Sequence, residues 1–522
     1  MINKPLPRCV PEEVGISSRK IKAFIDEINR KKLGVQSFTV VRHGKIAAQC
    51  FWKPYDADIP HVMYSMSKSI TSTAVGFAVD EGLLSVNDKL SKFFPEYNIK
   101  GENCELTVKH LLTMRSDKLI TFLQKKGGTD WVKAFFDAPF LAKPDTKFNY
   151  ISENTFMLSA IITKITGLTL VDYLYPRIFE PLGIEKPFFV TDGHNAAAGG
   201  WGCYMRSEDL AKFFLVYLNN GMYDGKRILS EKWVKEATSY HTATITDGAV
   251  DNLCGYGYQF WRNHVQNSYR ADGLFGQRCF IFPEYDALVV MNCGEAEDYK
   301  VMDVFWKYFE NIFANGKLAE DKISNQKLQA AISKCHVREL SAAPRNYELE
   351  KAVENKKIKF LTNEFTSVIT VSITQMLYNK IGKISEMKFN FKDDLMLFTW
   401  RERNFENTIK VGMNGEYGVS EITLGDLNYT AYSKAAWQAD GSLKLWIRPI
   451  QTAHVREFTF RFLPNGFVNV KNEMTPKFQD LTVYYLAFMG HPAPQNAKPL
   501  VRSAVKAFGL PLVEPNFIGK IE

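Results

Sequence analysis

The stretch His61-Val-Met-Tyr-Ser-Met-Ser-Lys-Ser-Ile-Thr-Ser-Thr-Ala-Val-Gly-Phe-Ala-Val-Asp-Glu-Gly82 decides both the fold and the chemistry. Within it Ser65 and Lys68 form an S-x-x-K pair, a spacing that puts both side chains on one helix face, within reach of each other. A serine hydroxyl is a poor nucleophile until a base takes its proton. A lysine serves as that base only when burial or nearby positive charge keeps it neutral. The same spacing recurs at Ser17/Lys20, Ser324/Lys327, Ser385/Lys388 and Ser503/Lys506, where surface polar pairs explain it. Ser65 differs in its setting. Tyr64 precedes it, and Ile70, Ala74, Val75, Phe77 and Ala78 follow on a helix that must be buried. A lysine carried inside by such a helix needs partners. At a helix start, the backbone N–H of Ser65 is also placed to meet an oxyanion.

Two further stretches carry candidate chemistry. In Lys147-Phe-Asn-Tyr-Ile-Ser-Glu-Asn154, Tyr150 and Ser152 precede a helix with apolar Leu158, Ile161, Ile162 and Ile165, ending near Gly167. A tyrosine beside the nucleophile would relay a proton to the leaving group. Alone, Tyr150 reads as a packed aromatic and Ser152 as an N-cap. In Tyr269-Arg-Ala-Asp-Gly-Leu-Phe-Gly-Gln-Arg278, glycines at 273 and 276 within a strand point to a bulge or to close approach by another segment.

Around these stretches the pattern is α+β. A helix over Ile16–Lys31, strands over Gln36–Arg42 and Ile46–Trp52, and helices to about Asn220 lead to strands at Tyr256–Trp261, Ser268–Ala271, Arg278–Phe282 and Ala287–Asn292. An amphipathic helix over Val301–Ala314 follows. Strands at both ends with helices between predict an antiparallel sheet built from both termini of the domain. With 522 residues, more than one domain is expected. Residues 1–316 form the first domain and 317–345 a linker with some helix. Residues 346–490 are an all-β barrel or sandwich with strands at Thr366–Thr374, Met387–Phe391, Leu395–Trp400, Thr408–Val411, Leu427–Tyr432, Leu443–Ile447, Val455–Phe462 and Phe467–Val470. Asp440-Gly441 signals a hairpin. Residues 491–522, rich in proline, read as a surface strap.

Taken in order, the three stretches resemble the serine β-lactamase and penicillin-binding-protein superfamily, in its class C-like esterase and amidase branch. Ser65-Met-Ser-Lys68 matches the nucleophile motif. Tyr150-Ile-Ser152 matches the second motif in a Tyr-x-Ser form, with Asn154 close by. Ala271-Asp272-Gly273 stands where the Lys-Thr/Ser-Gly motif is expected, followed by the turn Gly273-Leu-Phe-Gly276-Gln277. Pro11–Ile16, Leu111–Met114, Gly199-Gly-Trp-Gly202 and Asp209–Phe213 resemble the family as well, over residues 10–315. The resemblance implies that Ser65 attacks a carbonyl, that Lys68 and Tyr150 share the proton work, and that Ser152 or Asn154 supports Lys68. It implies an oxyanion hole from the backbone N–H groups of Ser65 and Leu274. Trp201 on its glycine-rich segment, with Asp272, Gly273, Phe275, Gly276 and Gln277, would line the cleft. Hydrolysis of the acyl-enzyme needs neither metal nor cofactor. The motif lysine is replaced by Ala271, and Asp272 adds negative charge, so weak β-lactam turnover is expected. Arg278 could replace the lysine's charge, but strand alternation would point its side chain to the opposite face from a neighbouring cleft-facing position.

Composition narrows the partners. A net charge of +8, with no basic stripe interleaved with aromatics, argues against nucleic acid. The eight cysteines are scattered singly, without zinc or redox spacing, and suit reduced, packed thiols. No window reaches membrane-helix length, and the first residues lack the apolar core of a signal peptide, so a cytoplasmic protein is expected. The substrate is then a small-molecule or short-peptide acyl compound. The alternatives are a β-lactamase or D-amino-acid peptidase using the same serine, and a non-catalytic binding or scaffold protein on the same fold. The C-terminal domain is expected to pack near the cleft or to mediate homo-oligomer formation.

Overall fold

In Ser18–Lys31 (α1), the residues Ile21, Phe24, Ile25 and Ile28 fall on one stripe, and all four are buried. Its start is held by Glu12, whose two carboxylate oxygens accept from the backbone N–H (2.7 Å) and hydroxyl (2.9 Å) of Ser18. The computed structural model describes residues 4–119, 130–244, 250–360, 384–402, 405–424, 427–477, 503 and 516–522. It divides into two units, one ending at His336 and one beginning at Val337.

In the first unit, Val35–Arg42 (β1) and Lys45–Phe51 (β2) form a hairpin through His43-Gly44. Helices dominate from there, among them Ser67–Asp80 (α2), Ser152–Thr166 (α3) and Ser207–Leu218 (α4). Trp261–Arg262 (β3), Tyr269–Gly273 (β4), Gln277–Phe282 (β5) and Ala287–Cys293 (β6) complete an antiparallel sheet in the order β2-β1-β6-β5-β4-β3. The pairing of β1 with β6, from Val35↔Cys293 to Arg42↔Ala287, joins the two ends of the domain. All eight residues of β1 are buried because both faces are covered. Tyr299–Phe309 (α5) and α1 lie on one face, where Phe24 meets Phe38 (5.5 Å) and Phe309 (5.2 Å) and Phe280 stacks on Phe305 (3.9 Å). On the other face, α4 packs against β1, β5 and β6. Arg42 clamps the edge: its guanidinium donates to the carbonyls of Val14 (2.8 Å), Tyr285 (3.0 Å) and Ala314 (2.8 Å).

The expected strand over Tyr256–Trp261 is interrupted. Gly255 (φ 94°) and Gln259 (φ 70°) take left-handed backbone, which breaks an extended run and leaves only β3. The expected linker contains Lys322–Ser333 (α6), which packs on α1.

The second unit is a barrel rather than a sandwich. Lys357–Phe360 (β7), Ile384–Phe391 (β8), Leu395–Glu402 (β9), Phe405–Gly412 (β10), Gly418–Leu424 (β11), Leu427–Trp437 (β12), Leu443–Pro449 (β13), Val455–Phe462 (β14), Phe467–Thr475 (β15) and Asn516–Ile521 (β16) are its strands among the described residues. Their order is β10-β9-β8-β7-β16-β15-β14-β13-β12-β11. Closure comes from a parallel contact of β10 with β12 and from Asn407, whose amide bonds both the N–H (2.9 Å) and the carbonyl (3.2 Å) of Thr423. Alternate residues of β9, β14 and β15 fill the interior, with Phe398, Trp400, Phe458, Phe460, Val468 and Val470 all buried. The chain end is therefore corrected: Asn516–Ile521 is a strand between β7 and β15, not a surface strap. The expected strand Thr366–Thr374 lies outside the described residues.

Candidate active site

Ser65 sits on a single tight turn, Tyr64–Met66, that runs directly into α2. Residues 67–78 of α2 are buried on every side, so the helix carries Lys68 into the domain, where its side chain is 1% exposed. Its ammonium has three partners: Ser65 Oγ at 2.8 Å, Ser152 Oγ at 3.0 Å and the Gly200 carbonyl at 2.7 Å. None is a carboxylate. Burial pushes the Lys68 pKa down to about 7, opposed only in part by the charge of Glu153. A neutral amine has two N–H groups and one lone pair. The Gly200 carbonyl can only accept, so with Ser152 accepting too, the lone pair is left facing the Ser65 hydroxyl.

Three segments build this arrangement. Ser152 opens α3, and its hydroxyl turns to Lys68 rather than capping the helix. Gly199 and Gly200 are squeezed between α2 and α3. A Cβ on Gly200 would lie 2.7 Å from the Ser152 carbonyl oxygen, and one on Gly199 would lie 2.6 Å from Thr71 Oγ1. Strand β4 arrives on the other side. A Cβ on Gly273 would lie 2.4 Å from the Met63 carbonyl oxygen and 3.2 Å from the Met66 nitrogen, so glycine lets the strand press against the serine turn. Leu274 is the next residue.

Tyr150 is buried in an aromatic cluster with Tyr256, Trp261 and Phe148. Its hydroxyl is hydrogen-bonded to Ser65 and to Trp261, and Lys68 Nζ lies 4.8 Å from its ring centre. Burial pushes the phenol well above its ordinary pKa, so it keeps its proton at neutral pH. Tyr64 (φ 45°) and Phe275 (φ 65°) flank Ser65 and Leu274 respectively, and both are left-handed. Their rings meet edge to face at 5.4 Å. Bulky residues hold such backbone at a cost of about 1–3 kcal/mol each, a cost concentrated at functional sites.

Several expected site residues have other duties. Asn154 does not reach Lys68; its amide nitrogen faces Met114 Sδ at 3.5 Å. Trp201 is buried, stacked on Trp131 at 5.8 Å, and the Gly200 carbonyl beside it is the atom that enters the site. Gln277 is fully buried with both ends of its amide bonded to the backbone, so it does not line a cleft. Asp272 adds no free negative charge. Its carboxylate is held by Arg270 (2.7 Å) and Arg278 (3.2 Å), and Arg278 also binds Asp298 (2.7 Å). Burial would raise the Asp272 carboxyl, but the two guanidiniums outweigh it and hold its pKa below the ordinary value. At Asp298 burial wins over Arg278, and the pKa is pushed up to about 6. Two arginines face two aspartates, and Ala271 is buried. Among the described residues, no His, Cys, Asp or Glu cluster is arranged for a metal, all eight cysteines are free, and no single helix is long and apolar enough to cross a membrane.

A helical insertion in an antiparallel sheet, with a serine turn and buried lysine at their junction, is the architecture of the penicillin-binding hydrolases. The chain belongs to the β-lactamase family, whose model matches residues 21–301. A 6-aminohexanoate-dimer hydrolase of Paenarthrobacter ureafaciens is 24% identical over 282 residues, which cover 49% of this chain and 71% of that one. A Salmonella heidelberg protein named "Putative D-alanyl-D-alanine carboxypeptidase" is 26% identical over 318 residues, 46% of this chain and 73% of its own. The solved structure "Putative 6-aminohexanoate-dimer hydrolase from Bacillus anthracis" shares the fold, with a TM-score of 0.50, 21% identity, and coverage of 60% of this chain and 87% of that one.

Proposed function

We propose that the protein cleaves an ester or amide bond through an acyl-enzyme on Ser65. The observation that carries this reading is the placement of Lys68, buried without a carboxylate partner and directed at Ser65 Oγ. Lys68 takes the serine proton as Ser65 attacks the carbonyl carbon. The backbone N–H groups of Ser65 and Leu274 receive the developing oxyanion. Tyr150, a phenol at neutral pH, gives its proton to the leaving group and is reprotonated from Lys68, which carries the proton taken from Ser65. Water then hydrolyses the acyl-enzyme by the reverse relay. The hydrolase name of the Paenarthrobacter relative supports linear amides among the substrates, alongside esters.

The charge balance around Asp272 favours substrates without a carboxylate next to the reacting carbonyl. With two cations paired to two anions and Ala271 at the motif position, no free positive charge is offered there. Turnover of β-lactams and of D-alanyl-D-alanine peptides is therefore expected to be weak relative to neutral p-nitrophenyl esters. A penicillin hydrolysed as fast as such an ester would overturn that preference. The nucleophile is tested with a fluorophosphonate. Intact mass and peptide mapping should show one adduct on Ser65, absent in Ser65→Ala. An unlabelled wild type would remove the acyl-enzyme reading.

A further inference from the structure

Gln277 begins β5 just past the Gly276 turn, and its side chain runs into the domain, where it makes four hydrogen bonds. The amide nitrogen donates to the carbonyls of Leu274 (3.1 Å) and Cys293 (2.6 Å). The amide oxygen accepts from the Asn292 side chain (3.2 Å) and the Cys293 N–H (3.2 Å). Asn292 extends the chain: its oxygen accepts from Ser37 Oγ on β1 (3.0 Å) and from Ser207 Oγ at the start of α4 (2.8 Å). All four side chains are buried. A buried polar network whose members are satisfied fixes its geometry, because breaking any one link leaves a desolvated group unpaired.

The network ends on the residue that matters. Leu274 is held from one side by the fit of Gly273 against the Met63–Met66 turn and from the other by the bond from Gln277 to its own carbonyl. Immediately beyond lies the left-handed Phe275, a turn that needs holding. We infer that Gln277 is a positioning residue that fixes the backbone amide of Leu274 for the oxyanion, with Asn292, Ser37 and Ser207 anchoring it to the sheet and α4. This rests on the reading of Ser65 as nucleophile and Leu274 as oxyanion donor.

The test is the rate of fluorophosphonate labelling of the full chain, normalised to folded protein by thermal denaturation. Gln277→Glu keeps the shape but sets a carboxylate against two carbonyls; labelling at pH 8 should fall roughly ten- to a hundredfold. Lowering the pH to 5.5 protonates the glutamic acid and restores a donor, so the variant-to-wild-type ratio should rise. Gln277→Leu should be slow with a ratio independent of pH. Should Gln277→Glu fail to fold, Ser207→Ala loosens Asn292 without adding charge and should slow labelling severalfold. Wild-type rates in these variants, or a lowered melting temperature with a flat ratio in Gln277→Glu, overturn the inference alone. A wild type that takes no label at Ser65 overturns the nucleophile reading and this inference with it.

Discussion

At Lys68 the physics is a competition between solvation and three weak partners. Burial outweighs the stabilising effect of Glu153, so the amine titrates near neutrality. The sign follows directly. The base must be neutral, so kcat/KM for a neutral ester should rise with pH, reach half its plateau near pH 7 and stay level above it. A rate profile from pH 5.5 to 9 checks this, and a profile flat through pH 7 would remove Lys68 as the base. Lys68→Met should lower the Ser65 labelling rate by roughly 10²–10⁴-fold. Tyr150→Phe should depress kcat while leaving labelling by an activated reagent far less affected, because such reagents carry good leaving groups. The S-x-x-K pair was legible in the sequence because both members lie on one turn. The Gly200 carbonyl, the Trp261 contact to Tyr150 and the Asp298 partner of Arg278 were not, since they come from other segments. The charge of Asp272 is visible in the sequence; Arg270, two residues earlier on β4, shares its face, and Arg278 reaches it because β4 pairs with β5.

Among the elements, the glycine pair before Trp201 sets how closely α2 and α3 approach the segment between them. Gly200→Ala must move the Ser152 carbonyl, at a cost of about 1–3 kcal/mol, and with it the hydroxyl that holds Lys68. Urea denaturation and ester kinetics on the variant should both respond, with activity falling by more than stability alone explains. The start of α1 offers a test away from chemistry. Glu12→Ala leaves the Ser18 N–H and hydroxyl without their acceptor and should cost about 1–3 kcal/mol with kcat unchanged. Strand and helix positions in the first unit were legible from apolar spacing. The run through Tyr256 was not, because left-handed turns at Gly255 and Gln259 override its β-rich composition. In the barrel, β7, β11 and β16 carry no clear signal: β7 is four residues with alternating lysines, while β11 and β16 begin with or are broken by glycine and polar residues, and pairing with neighbours makes them strands.

For the whole molecule, the barrel poses a separate question from the hydrolase unit. Among the described residues the sheet order ends at β10 and β11, which meet through the β10–β12 contact and the Asn407 bonds, so self-association by strand addition would have to open that seam. Removal of residues 337–522, followed by light scattering and ester kinetics, separates a role in assembly from one in catalysis: lost mass with retained kcat assigns assembly. The pairing of Arg42 with Ala287 has a consequence for synthesis. The β1–β2 hairpin leaves the ribosome long before its partner β6 exists. At roughly 5–20 residues per second, it waits on the order of tens of seconds with the β6-facing edge of β1 unpaired. Chaperone capture of the nascent chain is expected through that interval, and a rearranged chain in which residues 35–51 are moved to follow residue 293 should shorten it.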